Sequence, residues 1–236
     1  MNRLGIFVEG LTELIFVDHL IREIAGHREV RIEKQSIRGG RNVPRKLQVW
    51  EDGPPAPTAR FYVLIVNCGG DDQVKTRIFE EHKNLHDKGY WRLLGIRDVR
   101  PQYKREQITR LERSLRWGLD KTLIPVDFIL AVMEIEAWFL AESTHFPRID
   151  PGITLSAIKE SLGLDMENDD LQLRDEPAAD LNRCYAIGAK VYDKQDSRQS
   201  IQALDFGRLR LRLVKRFEHL GRLVSAVEEF FELESA

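Results

Sequence analysis

Two cysteines are all the chain contains, Cys68 and Cys184, too few and too isolated for a disulfide framework or a zinc site. That scarcity predicts a reducing, cytoplasmic setting. No run approaches the ~18 apolar residues of a membrane span. The start of the chain has no charged leader with a long apolar segment behind it. Histidine shows no metal-binding spacing: His19, His27, His145 and His219 are scattered, and His82 and His86 share one face of what reads as a charged, exposed helix. There is no P-loop, no G-x-S-x-G and no dinucleotide fingerprint, so NTPase, serine hydrolase and dehydrogenase readings have no motif behind them. A formal net charge of -2 gives no global attraction to nucleic acid, and any such binding must come from a local patch. Internal repeats and low-complexity tracts are also missing.

What the chain does have is alternation. Its 236 residues, 42% hydrophobic and 31% charged, suit one large domain or a domain with an appendage. Leu4 to Val8 is a short apolar, β-prone run that reads as a strand buried on both faces. Gly10 breaks it, Thr12 is placed to cap a helix, and Leu14, Val17, Leu20, Ile21 and Ile24 give that helix an apolar stripe. Val30 to Ile37 reads as a half-exposed strand ending in the turn Arg38-Gly-Gly-Arg-Asn42, and Gly53 to Pro57 as a loop. Further strands are predicted over Arg60–Cys68, Trp91–Ile96 and Val126–Met133, with helices over Gln73–Lys88 and Lys104–Lys121. The result is an α/β fold with a mostly parallel sheet flanked by helices through about residue 145. Residues 146–236 read as a helical C-terminal subdomain packed on it. It includes segments over Ser156–Leu162 and Ala178–Val191 and one long helix from about Phe206 to Leu233.

The acids fall where such a sheet places ligands, outside the carboxyl ends of its strands. Glu9 and Glu13 follow the first strand, Asp71 and Asp72 another, Asp98 a third, and Glu134 and Glu136 the last. Two carboxylates converging on one point repel unless a cation or proton lies between them. Hard divalent cations prefer such oxygen ligands. The plainer alternative is that Glu9 and Glu13 favour the positive end of the helix, and turns favour Asp in any case. Glu136-Ala-Trp-Phe-Leu140 likewise reads as the start of a core helix. That accounts for the apolar residues but not for two glutamates beside a buried strand, which are costly to bury unpaired. Arg38, Gly39, Gly40 and Arg41 form a basic glycine-containing turn suited to phosphate. The basic residues Arg208, Arg210, Arg212, Lys215, Arg216 and Arg222 mark a second candidate phosphate-binding stripe, or simply solvated surface.

The pairing of Val8-Glu-Gly-Leu-Thr-Glu13 with Ala131-Val-Met-Glu-Ile-Glu-Ala-Trp-Phe-Leu-Ala141 resembles a Toprim-like family of unknown function, related to the nuclease domain of the OLD (overcoming lysogenization defect) proteins. The resemblance implies a Toprim-like fold and Mg²⁺- or Mn²⁺-dependent cleavage of DNA or RNA phosphodiesters. It further implies a role in phage defence with a partner ATPase. By that resemblance Glu9, Glu13, Asp98, Glu134 and Glu136 would hold the metal. Glu9, Glu13 and Asp98, with Lys190 or Lys194 near the scissile phosphate, would serve catalysis. The sequence departs from the family's D-x-D motif at Arg100, where a second Asp is expected. Asp71 and Asp72 could substitute, and a non-cleaving module that binds nucleic acid or a partner protein is the alternative.

Overall fold

A computed structural model of the chain describes residues 1–40, 43–54, 59–70 and 72–233. Six strands form one sheet: β1 (Asn2–Val8), β2 (Val30–Gly40), β3 (Val43–Asp52), β4 (Phe61–Asn67), β5 (Arg92–Asp98) and β6 (Val126–Ala131). Their order is β3-β2-β4-β1-β5-β6, with every neighbouring pair parallel except β2 and β3. The central strands are apolar on both sides because both faces are covered, as parallel sheets require. Along β1, Leu4, Ile6 and Val8 enter one core and Phe7 the other.

The second core lies under α2 (Gln73–Asp87) and α3 (Ile108–Arg116), where Val74, Ile78, Leu111 and Leu115 meet Leu93, Phe128 and Leu130. The approach is close at Gly95, where an added Cβ would stand 2.8 Å from both Ile78 and Phe128. The first core lies under α1 (Leu11–Ala25) and everything after β6: α4 (Glu136–Ala141), α5 (Phe146–Ile149), α6 (Leu155–Leu162), α7 (Pro177–Ala186), α8 (Arg198–Ala203), α9 (Phe206–Leu211) and α10 (Glu218–Glu232). Trp138 and Phe139 of α4 pack against Phe16 of α1, and Phe230 and Phe231 of α10 against Phe61. One continuous core therefore joins the sheet to the C-terminal helices. Among the described residues no helix is long and apolar enough to cross a membrane.

Four expectations change. The segment after Ile37 is not an immediate turn: β2 runs on to Gly40 and pairs with β3, a strand the sequence reading did not contain. Since β2 last pairs with β4 at Ser36 and Asn67, the hairpin extends past the carboxyl edge of β4. The terminal helix is two helices with a break near residues 212–217. Phe206 of α9 stacks beside Phe16 and His19, while α10 turns to reach Phe61 and Trp91, and one straight rod would not serve both. Thr12 does not cap α1. Gly10 is the cap residue, and the Thr12 side chain is engaged elsewhere. His82 is buried, with Nε2 at 2.8 Å from the Ile124 carbonyl oxygen, so it anchors the chain entering β6.

Candidate functional site

Parallel strands end together, and here the ends of β1, β5 and β6 bring their following residues to one edge. Glu9 leaves β1, and its Oε2 accepts a hydrogen bond from the Asp98 backbone N–H at 3.0 Å. Asp98, the last residue of β5, accepts from the Ile135 N–H at 2.9 Å through Oδ1. Between β6 and α4 the chain passes through Met133 at φ 64, a left-handed conformation unusual for a residue with a side chain. This tight turn sets Glu134 and Glu136 on the same edge. Glu13 lies in the first turn of α1, and its Oε2 is only 3.0 Å from where a Cβ would stand on Gly10.

A lysine stands among them. The Lys194 ammonium donates to Asp98 Oδ2 at 3.1 Å and Glu134 Oε1 at 3.4 Å, and it faces Glu136 Oε2 at 3.3 Å. It comes from a single 3₁₀ turn, Lys194–Asp196, pinned to α1 by Thr12, whose hydroxyl donates to the Lys194 carbonyl at 2.8 Å and lies 3.0 Å from Ser197 Oγ. Replacing Thr12 by valine removes both contacts while keeping the shape. A loss of about 1–2 kcal/mol in chemical denaturation is expected, together with a looser Lys194. An unchanged midpoint would show that the 3₁₀ turn is held without Thr12.

The remaining oxygens are served unequally. Ala178 N–H donates to Glu134 Oε2 at 2.9 Å, and the Tyr192 hydroxyl to Glu136 Oε1 at 2.7 Å. Glu136 is fully buried, yet its Oε2 has no hydrogen-bond partner. Burial is the main reason its carboxyl is pushed up to about 7, with Lys194 and Tyr192 opposing and Glu13 and Glu134 adding to the rise. Burial likewise raises Asp98 well above the usual carboxylate range, against the pull of Lys194 and with repulsion from Glu13 and Glu136. For Lys194 burial works against the charge, but Asp98, Glu136, Glu134 and Glu13 outweigh it and hold the ammonium protonated.

Glu9, Gly10, Thr12 and Glu13 also line an open cleft of about 570 Å³ with Asn67, Gly69, Gly70 and Lys194. Glu9, Glu13, Asp98, Glu134 and Glu136 are thus brought together. Lys190 is not with them: it is exposed and 3.8 Å from Asp150, and Lys194 occupies the position among the acids. Arg100 is held by the Asp175 carbonyl at 2.8 Å and Glu176 at 3.1 Å. Asp72 is the exposed residue before α2, and Asp71 lies outside the described residues. Of the basic turn, Arg38, Gly39 and Gly40 end β2 beyond the β4 edge, while Arg41 lies outside the described residues.

The C-terminal basic residues are mostly engaged within the chain, Arg210 with Glu228, Arg216 with the Met166 and Asp169 carbonyls and Arg222 with the Phe128 carbonyl. Tyr192 is the site residue that sequence reasoning missed. Its one signal was an aromatic hydroxyl set among charged residues just before Lys194. No group of three or more His, Cys, Asp or Glu side chains among the described residues is arranged to hold a metal ion, and Asp98, Glu134 and Glu136 close on the Lys194 ammonium. Comparison with family models, with curated proteins and with solved structures gives no match to this chain.

Proposed function

We propose that the acidic edge is a divalent-cation site for hydrolysis of DNA or RNA phosphodiesters. The observation that carries the reading is the convergence of Glu9, Glu13, Asp98, Glu134 and Glu136, from separate segments, on one edge where the buried Glu136 Oε2 has no hydrogen-bond partner. The donor set is all carboxylate oxygen, which suits Mg²⁺ or Mn²⁺ rather than a softer metal. Asp98, Glu134 and Glu136 share the one Lys194 ammonium, so a proton or a divalent cation is needed to balance three carboxylates there.

Those five residues would hold the ion, which when bound supplies Lewis acidity and an activated water. The chain's own parts supply the rest. The Asp98 N–H fixes Glu9, the Ile135 N–H fixes Asp98, and Tyr192 orients Glu136. Lys194, held by Asp98, Glu134 and Glu136 with its side chain 40% exposed, is the cation at this edge that a phosphoryl oxygen would meet. The resemblance to the OLD-related Toprim-like family extends the reading to phage defence in the cytoplasm beside a partner ATPase.

The test is cleavage of end-labelled single- and double-stranded DNA and RNA with millimolar Mn²⁺ or Mg²⁺. Metal-dependent cleavage that falls about a hundredfold or more in Glu9→Gln and Asp98→Asn is the expected result. A second reading, a module that binds nucleic acid without cutting it, is favoured by one observation: an internal ammonium already neutralises part of the cluster. Nucleic-acid binding with no cleavage, and a melting temperature indifferent to both metals, would establish that reading instead.

A further inference from the structure

α3 buries Leu111 and Leu115 against the sheet. The helical period therefore puts Thr109, Arg110, Arg113, Arg116 and Trp117 on its outer side, and all five are exposed. Among the described residues the side chains of Arg110, Arg113 and Arg116 make no hydrogen bond or ion pair. Glu112, the one acid of α3, is turned instead to His219 and Arg222, each 3.9 Å away. Residues 104–121 hold six basic side chains against three acidic ones, in a chain whose net charge is -2. At the end of this face Trp117 is 79% exposed, and Phe79 of α2 is 39% exposed. The Lys75 ammonium joins the two rings, standing 5.2 Å from the centre of Phe79 and 5.7 Å from that of Trp117, and donates to the Ser114 carbonyl. Scattered apolar residues on a surface are ordinary. Two aromatic rings gathered at the end of an uncompensated row of arginines form a patch of defined chemistry.

We propose that this face of α3 binds single-stranded nucleic acid, with phosphates on Arg110, Arg113 and Arg116 and a base stacked on Trp117. Charge complementarity selects a polyanion, and the planar guanidinium fork suits phosphate oxygens. The exposed indole selects a polyanion whose bases are unstacked, since an aromatic platform takes any free base by its face and a duplex keeps those faces covered. The direction of the helix fits as well. β5 ends at the acidic edge with Asp98, whereas β6 starts beside Leu93, so α3 carries the chain back across the sheet. Its first turn lies towards the acidic edge and its last turn, with Trp117, about 12 Å further away. A strand held at Trp117 and followed along the arginines therefore leads to the acids. The proposal rests on the nucleic-acid part of the functional reading and needs no metal.

The test is fluorescence anisotropy of a labelled oligo(dT) of ~20 nucleotides, titrated with the whole chain in EDTA so that nothing is cut. Log K should fall with log salt at a slope near about -2, roughly 0.7 for each of three phosphates. Arg113→Gln should reduce that slope by about 0.7. Trp117→Ala should weaken binding about tenfold and leave the slope unchanged. Both positions are exposed, so the melting temperatures should not move. A duplex of the same length should bind more weakly than the single strand. No binding in EDTA, binding indifferent to Trp117→Ala, or a duplex held as tightly as the single strand would each overturn the proposal. Polyglutamate that displaces the label as well as unlabelled oligo(dT) does would assign the face to an acidic protein instead. Metal-dependent cleavage unaltered by Trp117→Ala would remove this face and leave the cleavage reading in place. Binding in EDTA as described, with no cleavage in either metal, would do the reverse.

Discussion

Replacing Lys194 by methionine should lower stability at pH 8 by about 3 kcal/mol, and millimolar Mn²⁺ or Mg²⁺ should return much of it. The magnitude follows from what the ammonium leaves behind. Asp98 and Glu136 are almost wholly out of water, and Lys194 is their shared cation. Removing one partner of a buried ion pair costs about 3–5 kcal/mol, and the lower end applies because the lysine side chain is 40% exposed. In a chain of this size that is a fall of about 6–12 °C in melting temperature.

The effect should depend on pH in a defined direction. A carboxyl whose folded value is raised gives stability that is fully present below its unfolded value and lost as pH rises through the folded one. Asp98 and Glu136 are both raised, and without Lys194 they rise further. The difference between variant and wild type is therefore largest at pH 8 and shrinks towards pH 4–5, where the acids are protonated and need no cation. If the acidic edge is the proposed cation site, metal enters the variant without displacing an ammonium, and the variant's metal-induced shift should exceed that of the wild type. A variant that is destabilised but wholly indifferent to both metals would leave Lys194 as a structural counterion and remove the case for a metal site.

How much of this could be read from the sequence divides along a physical line. Glu9 and Glu13 were legible because the apolar run Leu4–Val8, the glycine and the amphipathic stripe are local patterns. Parallel strands then carry Asp98, Glu134 and Glu136 to the same edge without further information. Tyr192 and Lys194 reach that edge only through the tertiary path of residues 190–197, pinned by Thr12 and Ser197, and no local spacing encodes such a path. Lys190 and Lys194 differ by four residues, so sequence alone could not choose between them. β3 was missed because Pro44 and the flanking charges weaken its periodic signal, and its partner is an equally polar β2. The bend in the terminal helix has no local signal because the apolar period continues across it, Leu209, Leu213, Phe217 and Leu220 all being buried.

Glu136→Gln separates stability from function at the same site. Glutamine keeps the side-chain shape and an oxygen for the Tyr192 hydroxyl, and it removes a carboxyl buried at 0% exposure. In the wild type, burial lifts that carboxyl from 4.5 to about 7. Its contribution is thus fully present below about pH 4.5 and lost as pH rises through 7, a decline of up to about 3 kcal/mol. The variant lacks this titration, so its stability curve between pH 4.5 and 8 should be flatter. At pH 8 it should be more stable than the wild type by about 1–2 kcal/mol, less than the full figure because an amide now faces Lys194. Its metal-induced rise in melting temperature and any metal-dependent cleavage should fall sharply, since the substitution removes the carboxylate charge and the Oε2 that has no hydrogen-bond partner. Paired urea denaturation curves at pH 5 and pH 8, with and without Mn²⁺, measure both effects on one sample. A variant less stable than the wild type at pH 8 would mean that Glu136 is buried to hold Lys194 in place. A more stable variant that has lost its metal response would mean that the fold carries this acid at a cost, which only a ligand recovers.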